Sequence, residues 1–277
     1  MLPRLDHTAL YRIQGPATMN HTCQVIRIPI LPFGLVNAHL VRTDKGCILV
    51  DTGLPGSERK IGRVLESIGL GFKDISLIVV THAHVDHAGS AARISSLSGA
   101  PILAHRGDAP YYARTAAMSF CATGWFGRLF IKTRLMFEPY EAFIPDLLLD
   151  DAMPVDLEPY GVPGEIRHTP GHTAGSLSVL LDSGEALVGD LISSGILLGG
   201  IARTGVAKRP PFEDDPVAVA EALHGMVAEG MGSFFMGHGG PLHAQEVGRH
   251  ACRLARLPCR PHAGLVGVNT CGNKTQG

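Results

Sequence analysis

The sequence contains no long apolar run, few cysteines and no excess of charge of either sign. None of its 277 residues falls in a run of about 18 or more apolar residues, so no membrane-spanning helix is predicted. Six cysteines without a C-x-x-C pair are too few for a disulfide scaffold. The first residues lack the apolar core and cleavage site of a signal peptide. Together these absences predict a reduced, cytoplasmic protein.

Charge is balanced, because 24 lysines and arginines face 25 aspartates and glutamates. A general nucleic-acid binder shows a basic excess, so no nucleic-acid partner is expected. For the same reason strong attraction to an anionic membrane surface is not expected. A hydrophobic content of 45% excludes disorder for most of the chain. A globular protein acting on a small molecule is the expectation that remains.

Three common catalytic signatures are also missing from the sequence. There is no G-x-S-x-G nucleophile elbow, no G-x-x-x-x-G-K-[ST] phosphate loop and no strand-linked G-x-G-x-x-G dinucleotide motif. These absences argue against a serine hydrolase with a nucleophile elbow, a nucleoside triphosphatase and a dinucleotide-dependent oxidoreductase.

Short apolar segments alternate with amphipathic helical patterns, which predicts an α/β fold. Helices are predicted over 57–68, 88–97 and 216–228, the last with a proline at its entrance. Residues 1–257 are predicted to form one domain, followed by an irregular tail over 258–277. Buried strands are predicted within 23–31, 36–43, 47–53, 76–82, 101–105, 176–182, 185–190 and 233–238.

Residues 106–162 are predicted to be a helical insertion. Nine of the sixteen aromatic residues lie between Tyr111 and Phe143. They could form a satellite core of a helical pair, the wall of an apolar substrate pocket, or a contact between the subunits of a homodimer. For the pocket, Trp125, Phe126 and Phe130 are the candidate residues.

The segment from Thr81 to Gly89 carries the clearest chemical signal. It follows an apolar strand and places four potential metal ligands within six residues, namely His82, His84, Asp86 and His87. Imidazole and carboxylate groups suit zinc and other first-row divalent metals. A turn can direct the first two ligands one way and the last two another, which predicts two neighbouring metals.

Three further candidates stand beside glycines at predicted strand ends. They are His172, Asp190 and His238. Glycine permits the sharp turn and the close backbone approach that a crowded site requires. Each of them alone is a weak indication, but together with the cluster from His82 to His87 they indicate one convergent metal site.

Five motifs, in their order along the chain, resemble those of the metallo-β-lactamase-fold hydrolase superfamily. They are VDTG at 50–53, H-x-H-x-D-H at 82–87, PGHT at 170–173, GD at 189–190 and GHG at 237–239. The resemblance spans about residues 25–245 and implies an αββα sandwich with the site at one edge of two packed sheets. It also implies the metal ligands: His82, His84 and His172 for a first metal, Asp86, His87 and His238 for a second, and Asp190 bridging both.

The same resemblance implies two divalent metal ions, with zinc favoured and iron or manganese as alternatives. A metal-bridged hydroxide would attack the substrate, with Asp86 orienting it. Asp51 would support the site without binding metal, and His168, four residues before His172, is a candidate for the same supporting role.

The fold alone leaves the substrate open. Hydrolysis of an ester, thioester or lactone with an apolar part is favoured, because the aromatic insertion supplies apolar surface and residues 191–200 contain no cation. The alternatives are a phosphodiesterase, a mononuclear-iron persulfide dioxygenase, a β-lactamase and a ligand-binding regulatory protein. A phosphodiesterase would need cations near the metals, and the sequence offers Arg128, Lys132, Arg134, Arg203, Lys208 and Arg209.

Overall fold

A computed structural model describes residues 23–257 of the chain, except residues 152, 197, 198 and 200. Its first sheet has six strands in the order β1-β2-β3-β4-β5-β6. The first three strands are antiparallel neighbours, and β3 to β6 run parallel. The strands are β1 (Gln24–Pro29), β2 (Asn37–Arg42), β3 (Cys47–Val50), β4 (Leu77–Val79), β5 (Ile102–His105) and β6 (Leu147–Leu149).

The second sheet also has six strands, and a short two-stranded ribbon accompanies it. Its order is β14-β13-β10-β9-β8-β7, and β11 pairs with β12 in the ribbon. The strands are β7 (Val155–Asp156), β8 (Gly164–His168), β9 (Leu177–Leu181), β10 (Glu185–Leu187), β11 (Ser193–Ser194), β12 (Ala207–Lys208), β13 (Ser233–Phe235) and β14 (Leu242–His243).

Seven α-helices join these strands within the described ranges. None of the helices in this part of the chain is both long enough and apolar enough to cross a bilayer. Helix α6 begins as predicted, with a proline in its first turn and the Asp215 carboxylate accepting hydrogen bonds from the Val217 and Ala218 amides at 2.9 and 3.1 Å. The helices are α1 (Glu58–Ser67), α2 (Val85–Ala88), α3 (Ala91–Ser98), α4 (Ala109–Tyr112), α5 (Trp125–Phe130), α6 (Pro216–Ala228) and α7 (Ala244–Leu254).

Alternation along the strands divides the core into three layers. In β2 and β3, Leu40 and Leu49 face α1 and α3, whereas Val41 and Ile48 face the second sheet. The other face of the second sheet packs its residues, among them Phe234, against α6 and α7. Each fully buried leucine or isoleucine stabilises this arrangement by roughly 2 kcal/mol. The architecture is the predicted αββα sandwich.

The segment 106–162 differs in part from its prediction as a helical insertion. Its last third supplies β6 and β7, the edge strands of the two sheets, because the chain crosses there from the first sheet to the second. The aromatic-rich part is therefore confined to residues 106–146, where α4, α5 and 3-10 turns replace the expected helical pair. The assignment of 1–257 to a single domain stays a prediction, and residues 258–277 lie outside the described part of the chain.

Strand direction brings the candidate ligands to one edge of the sandwich. In the first sheet, β3, β4 and β5 run parallel, and in the second sheet β8, β10 and β13 share one direction. The loops that follow these strands all leave from their carboxyl ends, where sites of α/β folds are usually built. Backbone hydrogen bonds join the two sheets at this edge, from Leu177 N to Thr81 O and from Asn37 N to Gly237 O, both 2.8 Å long.

Candidate metal centre

Three histidine nitrogens converge after β4 and β8. The distances from His82 Nε2 to His84 Nδ1, from His172 Nε2 to His82 Nε2 and from His172 Nε2 to His84 Nδ1 are 3.0, 3.1 and 3.1 Å. Two nitrogens bound to one tetrahedral zinc at about 2.0–2.1 Å lie about 3.3 Å apart. The triangle therefore matches one face of a metal coordination sphere, and its three nitrogens also lie close enough to share one ion.

A second set of ligands lies next to the first. The short helix α2 begins directly after His84 and carries both Asp86 and His87. His238, in the loop after β13, places its Nε2 3.3 Å from Asp86 Oδ2. These three residues also bring ligand atoms within reach of one ion.

The Asp190 carboxylate links the two sets. Its Oδ2 lies 3.0 Å from His238 Nε2 and 3.8 Å from His172 Nε2, and its Oδ1 lies 3.4 Å from His87 Nε2. All seven residues predicted as metal ligands are thus brought together, in the predicted two sets with Asp190 between them. Their side chains are buried. The exposed fraction of the Asp86 side chain is 11%, compared with 3% for Asp190 and 5% for His238.

Unpartnered atoms show that the second set fits a cation. Asp86 Oδ1, His87 Nε2 and Asp190 Oδ1 are buried and have no hydrogen-bond partner. Buried polar atoms left in this state carry a desolvation cost of roughly 1–3 kcal/mol each. A divalent cation bound by these atoms would remove that cost, so the residues present fit the metal that the ligand types predict.

The pKa values of the histidines separate the two sets. Burial lowers the pKa of His82 and His84 well below the usual range and that of His172 to about 4, so their lone pairs are free at neutral pH. In the second set burial acts in the same direction, but Asp190 and Asp86 raise the pKa of His238 to about 10. The carboxylates around His238 attract positive charge, which a proton supplies when no metal does.

Glycines next to the ligands allow the close approach that the sequence predicted. A Cβ atom on Gly237 would lie 2.3 Å from His87 Cε1 and 2.5 Å from Asp190 Oδ1. Gly189 has a φ of +52°, and its Cβ would lie 2.7 Å from Thr81 Oγ1. Any larger residue at these two positions would displace a ligand or the residue that orients it.

Ligand orientation depends on hydrogen bonds behind the site. Asp51 Oδ2 lies 2.8 Å from His87 Nδ1, which leaves His87 Nε2 facing the metal centre. Thr81 donates its amide and hydroxyl hydrogen bonds to Asp51, and its Oγ1 lies 3.1 Å from His82 Nδ1. His238 Nδ1 hydrogen-bonds the Leu35 carbonyl. Asp51 thus contacts a ligand without belonging to either ligand set.

Asp108 is a supporting residue that the sequence did not reveal. It is fully buried and accepts hydrogen bonds from Ala83 N, Thr173 Oγ1 and Gly175 N, at 3.0, 2.9 and 2.9 Å. Ala83 lies between the first two histidine ligands, and Thr173 follows the third. One carboxylate therefore fixes both loops of the first set, and burial raises its pKa.

The aromatic residues nearest the metal centre differ from those predicted. Phe120 lies against His84 with ring centroids 5.0 Å apart, and Phe212 lies 6.4 Å from the same ring. Phe130 stacks on Phe212 at 6.1 Å, whereas Trp125 contacts Phe126 and is 70% exposed. Of the predicted pocket residues, Phe130 contacts Phe212 near the metal centre, Phe126 stacks on the far side of Phe130, and Trp125 lies at the outer surface.

His168 lies one step further from the ligands than predicted. Its ring stacks on His105 with centroids 3.7 Å apart and planes 7° apart, and Asp151 Oδ1 lies 3.0 and 2.9 Å from the nearest nitrogens of the two rings. Rings this close to parallel hold their lone pairs in separate planes, so a single ion cannot lie in both. His168 Nε2 donates to Ala174 O at 2.8 Å and so contacts the loop of His172 through the backbone.

The chain is similar in sequence to proteins named as metal-dependent hydrolases and to a lactonase. The chain is 27% identical over 180 residues to the probable metallo-hydrolase YqgX of Bacillus subtilis, covering 64% of this chain and 74% of that protein. It is 26% identical over 203 residues to an N-acyl homoserine lactonase of a Bacillus species, covering 65% and 66%. The aligned part covers 23% of the length of one curated relative, a metal-dependent hydrolase of Pyrococcus horikoshii, and 81% of another, the probable metallo-hydrolase YflN of Bacillus subtilis.

A solved structure shows the same fold. The metallo-beta-lactamase family protein TTHA1429 of Thermus thermophilus superposes with a TM-score of 0.59 and 22% identity, over 84% of this chain and 78% of that one. A sequence model of the metallo-beta-lactamase superfamily matches residues 31–224, which include six of the seven ligands, all but His238. Because this match covers more than half of the chain, the chain belongs to the metallo-beta-lactamase superfamily.

Proposed function

We propose that this member of a superfamily of metal-dependent hydrolases holds two metal ions and cleaves an ester, thioester or lactone bond in a small molecule with an apolar part. The observation that carries the proposal is the Asp190 carboxylate, which lies within 3.8 Å of the first ligand set and within 3.0 Å of the second. Histidine and carboxylate ligands favour zinc, with iron and manganese as alternatives.

Two bound metal ions would supply a water molecule of lowered pKa and would polarise the bond under attack. Asp86 is the residue placed to orient that water. Its side chain is the most exposed of the second set, its Oδ1 has no partner, and His87 and His238 lower its pKa although burial opposes the shift. Asp86 is therefore a carboxylate at neutral pH and can accept a hydrogen bond or a proton.

The surroundings of the metal centre support a carbonyl substrate. Phe120 and Phe212 place apolar surface against His84, where it would exclude water and contact an acyl or aryl group of a substrate. Of the cations that a phosphodiester could use, Arg209 is paired with the buried Glu213 at 2.5 Å, whereas Arg128, Lys132 and Arg134 are exposed at the surface. The similarity to an N-acyl homoserine lactonase is a further argument for an acyl substrate.

Metal analysis and a substrate panel test the proposal together. We expect about two metal ions per chain and a higher kcat/KM for acyl esters, thioesters or lactones than for bis(p-nitrophenyl) phosphate. Asp190→Ala should lower the metal content and reduce kcat/KM by more than about 100-fold, because even losing a group that orients a ligand costs roughly 10- to 100-fold. The exposed Asp182 provides the matched control, and Asp182→Ala should retain both.

Other results would identify the alternatives. A fully active protein with one tightly bound iron ion per chain would favour a persulfide dioxygenase over the proposed hydrolase. Faster turnover of the phosphodiester would favour a phosphodiesterase, and preference for a β-lactam would favour a β-lactamase. Two bound metals without turnover of any substrate would favour a ligand-binding protein.

A further inference from the structure

An exposed surface that combines large apolar residues with cations is formed by the segment from Trp125 to Phe137, which reaches the candidate metal centre through Phe120. Between Trp125 and Phe137 four apolar side chains are exposed, Trp125 at 70%, Leu129 at 56%, Leu135 at 54% and Phe137 at 48%. Large side chains clustered in this way usually mark a binding surface. We call this surface, with the cations interspersed in it, the apolar–basic patch; its residues are Trp125, Arg128, Leu129, Lys132, Arg134, Leu135 and Phe137.

The charge within the patch is of one sign. Arg128, Lys132 and Arg134 are exposed, and no aspartate or glutamate occurs between Trp125 and Phe137. Among residues 23–257 as described, none of these three cations lies within 4 Å of a carboxylate. The balanced charge of the whole chain therefore conceals a local group of three cations that form no ion pair within the described residues, although the exposed Glu138 and Glu141 follow the patch along the chain.

The apolar residues and the cations together identify the occupant. Exposed leucines, a tryptophan and interspersed lysine or arginine are the composition of segments that lie in the interface of a membrane. A second copy of the chain is a poor match, because a two-fold contact would place the same three cations against one another. Nucleic acid would match the cations but would leave Leu129 and Leu135 without apolar surroundings.

We infer that the apolar–basic patch binds an anionic lipid surface, with Trp125, Leu129, Leu135 and Phe137 entering the interface and the three cations meeting the headgroups. The patch is continuous with the metal centre, because Phe137 lies 5.2 Å from Phe120 and Phe120 lies 5.0 Å from His84. A protein bound in this way holds its metal centre close to molecules dissolved in the membrane. The inference is independent of which bond the enzyme cleaves.

Vesicle binding of the full chain tests the inference without an activity assay. The probes are vesicles of phosphatidylcholine alone and of phosphatidylcholine with phosphatidylglycerol. Trp125 is the only tryptophan, so its emission reports directly on the patch. We expect co-sedimentation with the anionic vesicles, a blue shift of Trp125 emission, quenching by brominated lipid, and weakening of all three at high salt.

Two pairs of variants separate the patch from general charge and exposure. R128E/K132E/R134E should weaken binding by about 100-fold or more, because each cation near an anionic surface contributes roughly fivefold. The control R59E/R63E/R256E makes the same charge change at other exposed arginines and should bind as the wild type does. L129S/L135S should lose the blue shift, whereas I144S/M153S, also exposed, should keep it. Circular dichroism checks that all four variants fold.

Several results would overturn the inference. Equal binding by the patch variant and its charge-matched control would show that the patch does not carry the interaction. A concentration-dependent dimer in which Trp125 becomes buried would assign the patch to a second copy of the chain. Saturable binding of a single-stranded oligonucleotide without binding to anionic vesicles would assign it to nucleic acid.

Discussion

Replacing Asp108 by asparagine should separate the loops that carry the first ligand set. In the structure Oδ1 accepts a hydrogen bond from Gly175 N, and Oδ2 accepts from Ala83 N and Thr173 Oγ1. Asparagine has the same shape, but one of its two terminal atoms is an NH2 group that cannot accept. The most favourable orientation places the amide oxygen at the Oδ2 position and leaves the NH2 group facing the Gly175 amide.

The expected magnitude follows from that single mismatch. A hydrogen bond to a charged group contributes roughly 1.5–3 kcal/mol, and a buried donor without a partner costs about 1–3 kcal/mol. Because the two contributions overlap, Asp108→Asn should lower the free energy of unfolding by about 3 kcal/mol. Metal affinity should also fall by roughly 10- to 100-fold, as it does when a group that orients a ligand is removed.

Denaturant unfolding of the metal-free protein measures the first effect, and competition with a chelating dye measures the second. Asp74→Asn is the matched control, because the Asp74 carboxylate accepts one exposed hydrogen bond from Gly71 N at 2.7 Å. It should cost less than about 1 kcal/mol and leave metal affinity unchanged. If Asp108→Asn stays within about 0.5 kcal/mol of the wild type, the reasoning about the two loops is wrong.

Two further predictions concern acid stability and substrate preference. Burial lowers the pKa of His250 to about 4 from 6.5, so stability is fully present above pH 6.5 and falls as the pH drops toward 4, by about 3 kcal/mol in total for this residue. Denaturant unfolding at several pH values should therefore show a shallower loss for His250→Gln, and an unchanged pH dependence would contradict the assignment. Phe120→Ala should raise KM for a long-chain acyl substrate about tenfold. The loss of about 60 Å² of apolar contact, at ~25 cal/mol per Å², weakens binding by that factor. An acetyl ester should be affected much less, and an equal effect on both substrates would show that Phe120 supports the fold rather than the pocket.

Some of the fold follows from local patterns in the sequence. Buried strands such as Cys47–Val50 and Leu77–Val79 are recognisable because their residues are apolar on both faces. The short edge strands Leu147–Leu149 and Val155–Asp156 were not predicted, since half-exposed strands of two or three residues show no clear alternation. Helix α7 was also missed, although Val247, Ala251 and Leu254 have helical spacing.

What the sequence by itself determined about this protein is which histidines and aspartates are candidates for one convergent metal site. Within residues 82–87 the spacing alone restricts where the side chains can point, because a strand end followed by one helical turn allows few arrangements. Tertiary structure decided how His172, Asp190 and His238 complete the site, since each leaves a different strand of the second sheet and only packing of the two sheets brings them together. It also decided that Asp108 supports the ligands and that Phe120, and not Trp125, adjoins them. A single aspartate or phenylalanine carries no sequence signal for a contact made many residues away, so those roles are visible only in the folded chain.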